Sequence, residues 1–159
     1  MQVNTCITSI SLSENLMKAG SVLPLSKALS ANSTLTHIDL SSNMFGDSMG
    51  VHIAKALCSN HALKRVLLSN NGLGDDFANE LAISLSYNRN IEEIDLAHNQ
   101  IQPFGAIALC KTIGDSSHLC RVNLCWNNLR REGGITLANA LILKQSNSSL
   151  TELGKCYSE

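Results

Sequence analysis

The sequence predicts an α/β solenoid in which short parallel strands form the concave face and helices form the convex face. One apolar pattern, L-x-x-L-x-L-x-x-N-x-L, begins at five positions that follow one another at intervals of 28 residues: Ile7, Leu35, Leu63, Ile91 and Leu119. Each match is followed by apolar residues at helical spacing. A unit of this length buries its apolar side only against its neighbours, so the fixed period indicates a stacked array.

The period also defines the organisation of the 159-residue chain. A short lead covers residues 1–6, and a degenerate, truncated sixth unit covers 150–159. Between them lie five repeat units: 7–34, 35–62, 63–90, 91–118 and 119–149. Positions within a unit are numbered from its first apolar residue, so that Leu35 is position one and Asn43 is position nine of the second unit.

The first segment of each unit is predicted to be a strand. Its apolar residues occupy positions one, four and six, and position four is β-branched in the middle units: Ile38, Val66, Ile94 and Val122. β-Branched residues favour the half-buried surface of a sheet. Because strand, turn and helix recur without reversal, the strands must be parallel.

The turn after each strand carries an asparagine at position nine. The column consists of Asn15, Asn43, Asn71, Asn99 and Asn127. A buried amide is costly unless it is hydrogen-bonded. We therefore expect this structural ladder to satisfy main-chain groups of adjacent turns.

The second segment of each unit is predicted to be a helix whose apolar side faces the sheet. The predicted inward-facing residues are Val22, Leu25 and Leu29; Gly50, Ile53 and Leu57; Ala78, Leu81 and Leu85; Ala106, Leu109 and Ile113; and Gly134, Leu137 and Leu141. Asp47, Asp75 and Pro103 lie near predicted helix starts, where acidic residues and proline are favourable.

These five matches resemble leucine-rich repeats. The second halves, such as G-D-S-M-G-V-H-I-A-K-A-L from Gly46, resemble the ribonuclease-inhibitor subtype. The resemblance extends over residues 7–149 and implies a curved array. The same repeats occur in ribonuclease inhibitor, nucleotide-sensing receptors, tropomodulin-like caps and RanGAP-type GTPase activators, so the resemblance specifies the fold more closely than the function.

Composition narrows the classes of function. A formal charge of −1 favours neither nucleic acid nor an acidic membrane as partner. The sequence has no apolar run long enough to span a bilayer and no signal-peptide pattern at its first residues, so we expect a cytoplasmic protein.

The cysteines are predicted to be reduced thiols, because none forms a C-x-x-C pair or a zinc-finger spacing. They are Cys6, Cys58, Cys110, Cys120, Cys125 and Cys156. Cys125 and Cys156 share position seven of neighbouring units and should lie ~5 Å apart, with His98 one unit earlier, which is a conceivable metal or redox group. The column otherwise holds small residues, so we predict no metal and no cofactor.

No nucleophile and base fall at matching repeat positions, and the sequence therefore predicts a non-enzymatic protein-interaction module. Trp126, the single tryptophan, occupies position eight and is predicted to point away from the core. In ribonuclease-inhibitor-like proteins, aromatic residues at that position contact partners. The alternative is that Trp126 packs on Tyr157 and shields the end of the array.

The candidate protein-binding residues lie on the strands and the turns that follow them. They are Trp126, Tyr157, His98, Arg121, Glu93, Arg65, Asp95 and Asn123. Opposite charges alternate at position three, which favours lateral ion pairs over partner recognition. Two other functions are open: a RanGAP-like GTPase regulator, and a piece of a larger array or an oligomer that associates through uncapped ends.

Overall fold

A computed structural model describes residues 4–143 and 150–153, in which strands and helices alternate without interruption. The strands are β1 Ser9–Ser11, β2 His37–Asp39, β3 Arg65–Leu67, β4 Glu93–Asp95, β5 Arg121–Asn123 and β6 Glu152–Leu153. The helices are α1 Ala19–Ala31, α2 Asp47–Ser59, α3 Asp75–Tyr87, α4 Pro103–Asp115 and α5 Arg130–Leu143.

The strands form one parallel sheet in sequence order, β1 to β6. Equivalent repeat positions pair directly: Ile38 lies opposite Val66, and Val66 lies opposite Ile94. This register confirms the predicted α/β solenoid. No helix within the described residues has the length and apolar character needed to cross a bilayer.

The core lies between the sheet and the helices. Ile38 and Leu40 enter it from β2 and the residue after it, and Ile53 and Leu57 enter it from α2. At Gly50 the next unit approaches so closely that an added Cβ would collide with Leu73. Small residues at this position therefore set the spacing between neighbouring units.

Gly134 is an exception to the predicted helix face. The sequence placed it in the core, but it is exposed, and no neighbouring atom lies within 4 Å of the position a Cβ would take. Position sixteen packs against the following helix, as Gly50 shows, and within the described residues no helix follows α5. The prediction was wrong because it treated the last unit as an interior one. Leu141 lies in α5, but its side chain is outside what the structure describes.

The turn asparagines bond to main-chain groups of two units at once. The Asn71 amide donates to Leu40 O at 2.9 Å in the preceding unit and to Leu68 O at 3.2 Å in its own. Its Oδ1 accepts a hydrogen bond from Asn43 N at 3.0 Å. Asn43 and Asn99 repeat this arrangement. Asn127 donates to Leu96 O in the same way, but its Oδ1 accepts from Ile101 N. Asn15 is exposed and donates only to Ser13 O among the described residues.

A second asparagine column, which the sequence analysis did not identify, closes the helix ends at position 26. Asn60 donates to Leu29 O at 2.7 Å in the preceding unit, and its Oδ1 accepts from Leu63 N at 2.8 Å. Asn88 makes the equivalent bonds one unit later. The signal was the spacing of 28 residues between these asparagines, which extends back to Asn32.

A third inter-unit contact caps helix α3. The Oδ1 atom of Asp47 accepts hydrogen bonds from Gly74 N at 2.9 Å and Phe77 N at 2.8 Å, both in the following unit. Asp75 similarly accepts from Gln102 N at 2.7 Å. The open N–H groups at these helix starts are thus satisfied by the preceding unit.

Candidate functional site

The candidate site lies where the strands turn into the ascending connections. The backbone at position eight is left-handed in five successive units, with φ of 59° at Glu14, 57° at Ser42, 54° at Asn70, 54° at His98 and 57° at Trp126. This conformation costs a non-glycine residue ~1–2 kcal/mol. The turn is maintained by the strand pairing and asparagine ladder beside it, so position eight forms a fixed ridge.

Two rings stack on this ridge. The centroids of His98 and Trp126 are 5.4 Å apart and the ring planes differ by 10°. Trp126 nevertheless remains 64% exposed. The ring stacked on Trp126 is that of His98, one unit earlier; Tyr157, which the sequence analysis proposed as its packing partner, lies outside the described residues.

The charged residues at position three are bound to one another. Glu93 lies between two arginines: its carboxylate is 3.1 Å from Arg65 Nε on one side and 2.7 Å from Arg121 on the other. The hydrogen bond from Arg121 to Glu93 and their opposite charges raise the pKa of the arginine. Position two adds a further pair, with Lys64 Nζ 3.0 Å from Glu92. These contacts form lateral ion pairs across the sheet.

The polar residues at position five hold the strand ends. Asp95 Oδ1 accepts from Ala97 N at 2.9 Å, and Asn123 Oδ1 accepts from Cys125 N at 3.1 Å. At Asp39, burial raises the pKa, but hydrogen bonds from Ser41, Ser11 and Ser13 outweigh it and leave the pKa below its ordinary value. The position-five side chains therefore already make hydrogen bonds that hold their own turns in the free protein.

Exposed apolar side chains also occur at position ten, which the sequence analysis did not single out. Leu16 and Met44 occupy this position in adjacent units, and both are exposed with left-handed backbones. They lie on the same ascending connections as the position-eight ridge. Aligning position ten across the units would have revealed them.

The cysteines differ from the prediction at one residue. Cys6, Cys58, Cys110 and Cys120 are free, and burial raises the pKa of the Cys110 thiol to about 11. Cys125 is disulfide-bonded, so the expectation that every cysteine is reduced was wrong. Side chains at position seven lie across the sheet at a spacing that suits a disulfide. Its partner lies outside the described residues, as does Cys156.

Within the part of the chain that the structure describes, no three His, Cys, Asp or Glu side chains are grouped to hold a metal ion. What the arrangement offers is a rigid surface: a ring stack, a row of ion pairs and a left-handed ridge. Such a surface can bind by shape, stacking and burial.

Comparison with known proteins defines the fold. A family model described as a leucine-rich repeat matches residues 31–48 and 87–110. The chain has the leucine-rich-repeat fold. A solved structure of leiomodin-1 actin-binding site 2 shares 22% identity with a TM-score of 0.70 and covers 87% of this chain and 79% of that one.

A second similar structure is the tropomodulin C-terminal domain of Caenorhabditis elegans. It shares 11% identity with a TM-score of 0.63, and the match covers 98% of this leucine-rich-repeat chain and 77% of that one. No curated protein matches the sequence.

Proposed function

We propose that this leucine-rich-repeat chain is a non-enzymatic protein-interaction module that binds through its concave face and ascending connections. The observation that supports the proposal is the exposed ring stack of Trp126 on His98. Tryptophan is enriched among the residues that contribute most to protein interfaces.

The stack suits an interface for energetic reasons. A ring fixed on a rigid ridge loses little conformational freedom when a partner covers it. Exposed aromatic surface gains ~25 cal/mol per Å² on burial. Trp126 is therefore assigned the central contact, with His98 supporting it from beneath.

The remaining candidate residues are assigned lesser roles. Arg65, Glu93 and Arg121 already pair with one another, so they contribute orientation and electrostatic steering more than affinity. Asp95 and Asn123 are bound to their own turns and act through their remaining polar atoms. Tyr157 stays a prediction from its repeat position, as does the ribonuclease-inhibitor subtype.

Actin is the first partner to test, because the similar leiomodin-1 structure is named as an actin-binding site. Binding of monomeric actin to the immobilised chain is measured for wild type, Trp126→Ala and Tyr87→Ala. Tyr87 is the matched control because it is an aromatic residue on α3, 71% exposed.

The proposal predicts that Trp126→Ala weakens binding by ~2 kcal/mol, a factor of about 30, while Tyr87→Ala changes it less than threefold. If actin does not bind, the same three proteins are used to capture partners from a lysate. Equal capture by wild type and Trp126→Ala would remove the proposed centre of the interface. Acceleration of single-turnover GTP hydrolysis by a panel of small GTPases would instead favour the RanGAP-like alternative.

A further inference from the structure

Among the described residues, the first strand is paired along one edge only. β1 pairs with β2 on one side, and no described strand pairs with its other side. Inside the array the equivalent edge of every later strand is occupied by the preceding unit. The interior contacts therefore specify which groups an added unit would meet.

Main-chain donors and a hydroxyl group face this edge. In the next unit, Thr36 N and His37 N donate to Thr8 O at 2.8 and 3.0 Å, and Thr36 Oγ1 donates to the same atom at 2.9 Å. Thr8 and Ser9 occupy the same two repeat positions in the first unit. They present two N–H groups and a threonine hydroxyl in the register that binds one carbonyl oxygen.

Asn15, the turn asparagine at this edge, makes fewer hydrogen bonds among the described residues than Asn43, its equivalent in the next unit. Asn43 Oδ1 accepts from Asn15 N at 3.1 Å and Met17 N at 3.2 Å, and its amide donates to Leu12 O at 2.8 Å. These three bonds reach into the preceding unit. Among the described residues Asn15 makes none of them, and its amide donates only to Ser13 O.

Apolar surface accompanies these polar groups. Ile7 is 48% exposed, whereas the equivalent Leu35, Leu63 and Leu119 are at most 7% exposed. A preceding unit would cover this side chain in the same way. The edge thus combines an apolar contact with hydrogen-bonding groups in a fixed register, which is more specific than an apolar face alone.

The complementary edge is present on the same chain. β6 pairs with β5, and Thr151 N donates to Cys120 O at 2.8 Å just as Thr36 N donates to Thr8 O. The main-chain carbonyl of Thr151 therefore occupies the position that Thr8 O has in the interior. Leu150 and Leu153 bring partly buried apolar surface to that edge.

We propose that the β1 edge of one copy binds the β6 edge of a second copy, so that the sheet continues from chain to chain. Thr8 and Ser9 of one copy donate to Thr151 O of the other, and Ile7 packs beside Leu150. The two edges differ, so the contact is head-to-tail and a bound pair retains one free edge of each kind. This inference is independent of the proposed Trp126 interface.

Sedimentation velocity over a concentration series tests the proposal with four variants. Ile7→Lys places a charge on the β1 edge, and Leu153→Lys alters the β6 edge. Ile83→Lys is the matched control, since Ile83 is 55% exposed but lies on helix α3 in the interior of the array. Circular dichroism melting checks that each variant is folded, and Asn15→Ala serves as a second, milder β1-edge variant.

Wild type and Ile83→Lys are expected to form concentration-dependent oligomers larger than dimers. Ile7→Lys and Leu153→Lys alone should be monomers, with association weakened at least tenfold, and Asn15→Ala should weaken it less. An equal mixture of Ile7→Lys and Leu153→Lys should stop at dimers, because one intact contact remains. A monomeric wild type at several hundred µM, or dimers of Leu153→Lys alone, would overturn the head-to-tail contact.

Discussion

Asp47 in one repeat unit caps the helix of the next, with its Oδ1 atom 2.8 Å from the main-chain N of Phe77. Gly46 and Gly74 directly precede α2 and α3 and provide no side-chain cap, so the cap of α3 comes from the preceding unit. Pro103 replaces the aspartate before α5, and Arg130 and Arg131 stand at the start of that helix. Cationic residues there are unfavourable to the helix dipole.

Asp47→Ala is expected to lower the free energy of unfolding by ~1–2 kcal/mol, because it leaves N–H groups of α3 without their acceptor. Asp76→Ala is the control, since its carboxylate lies in the same turn but accepts no hydrogen bond from the described residues. Urea unfolding measures both. Similar small losses in the two variants would contradict the inter-unit cap.

Asn71→Ala is expected to lower the free energy of unfolding by ~1–3 kcal/mol, because it leaves main-chain groups of two units without hydrogen-bond partners in a buried turn. Asn79→Ala on the exposed side of α3 should be close to neutral. Chemical denaturation of the pair, at a concentration where the chain is monomeric, gives the comparison. If Asn71→Ala lowers the free energy of unfolding by less than a few tenths of a kcal/mol, water satisfies the main-chain groups in place of the Asn71 amide.

The periodic elements could be predicted from the sequence because burial imposes one residue type on each repeat position. The strands, the helices and the asparagines of position nine follow from that rule. The Asp47 cap was missed because capping is usually sought in the residue before its own helix. The ring partner of Trp126 depends on side-chain torsions, which the repeat position does not specify. Gly134 was mispredicted because no helix follows the last unit within the described residues. Cys125 was mispredicted because the reduced state was inferred from the lack of paired-cysteine motifs, whereas position seven of neighbouring strands has a spacing that suits a disulfide.

Ser116→Asn is expected to stabilise the chain by ~1 kcal/mol by extending the helix-end asparagine column. Ser116 accepts from Leu119 N at 3.1 Å, but it lacks the amide through which Asn88 reaches Leu57 O at 2.8 Å. A hollow of about 160 Å³ beside it, lined in part by Leu85 and Arg89, gives the amide room. Thermal unfolding measures the gain, and an unchanged or lower melting temperature would show that the added group does not reach its acceptors.

His118 should make stability fall as the solution becomes mildly acidic. Burial lowers the pKa of His118, and the nearby positive charge of Arg89 lowers it further, against a hydrogen bond to main-chain Asn88. The unfolded chain binds a proton near the ordinary pKa of 6.5, while the folded chain does so only at lower pH. The folded state therefore loses stability as pH falls from 6.5 towards the folded-state pKa.

His118→Gln should remove this part of the pH dependence, and His61→Gln, at an exposed loop residue, should retain it. Urea unfolding measured between pH 5 and pH 8 distinguishes the two variants. Identical pH profiles for wild type and His118→Gln would show that the half-buried His118 imidazole has no part in the effect.

The most direct test of the proposed binding surface uses Trp126 itself, the single tryptophan of the chain. Its 64% exposure predicts red-shifted emission that acrylamide quenches readily in the free protein, and Trp126→Ala should reduce the free energy of unfolding by less than ~1 kcal/mol. Blue-shifted emission that resists acrylamide, together with a loss of several kcal/mol in Trp126→Ala, would mean that the indole is packed into the structure and is not free to bind a partner.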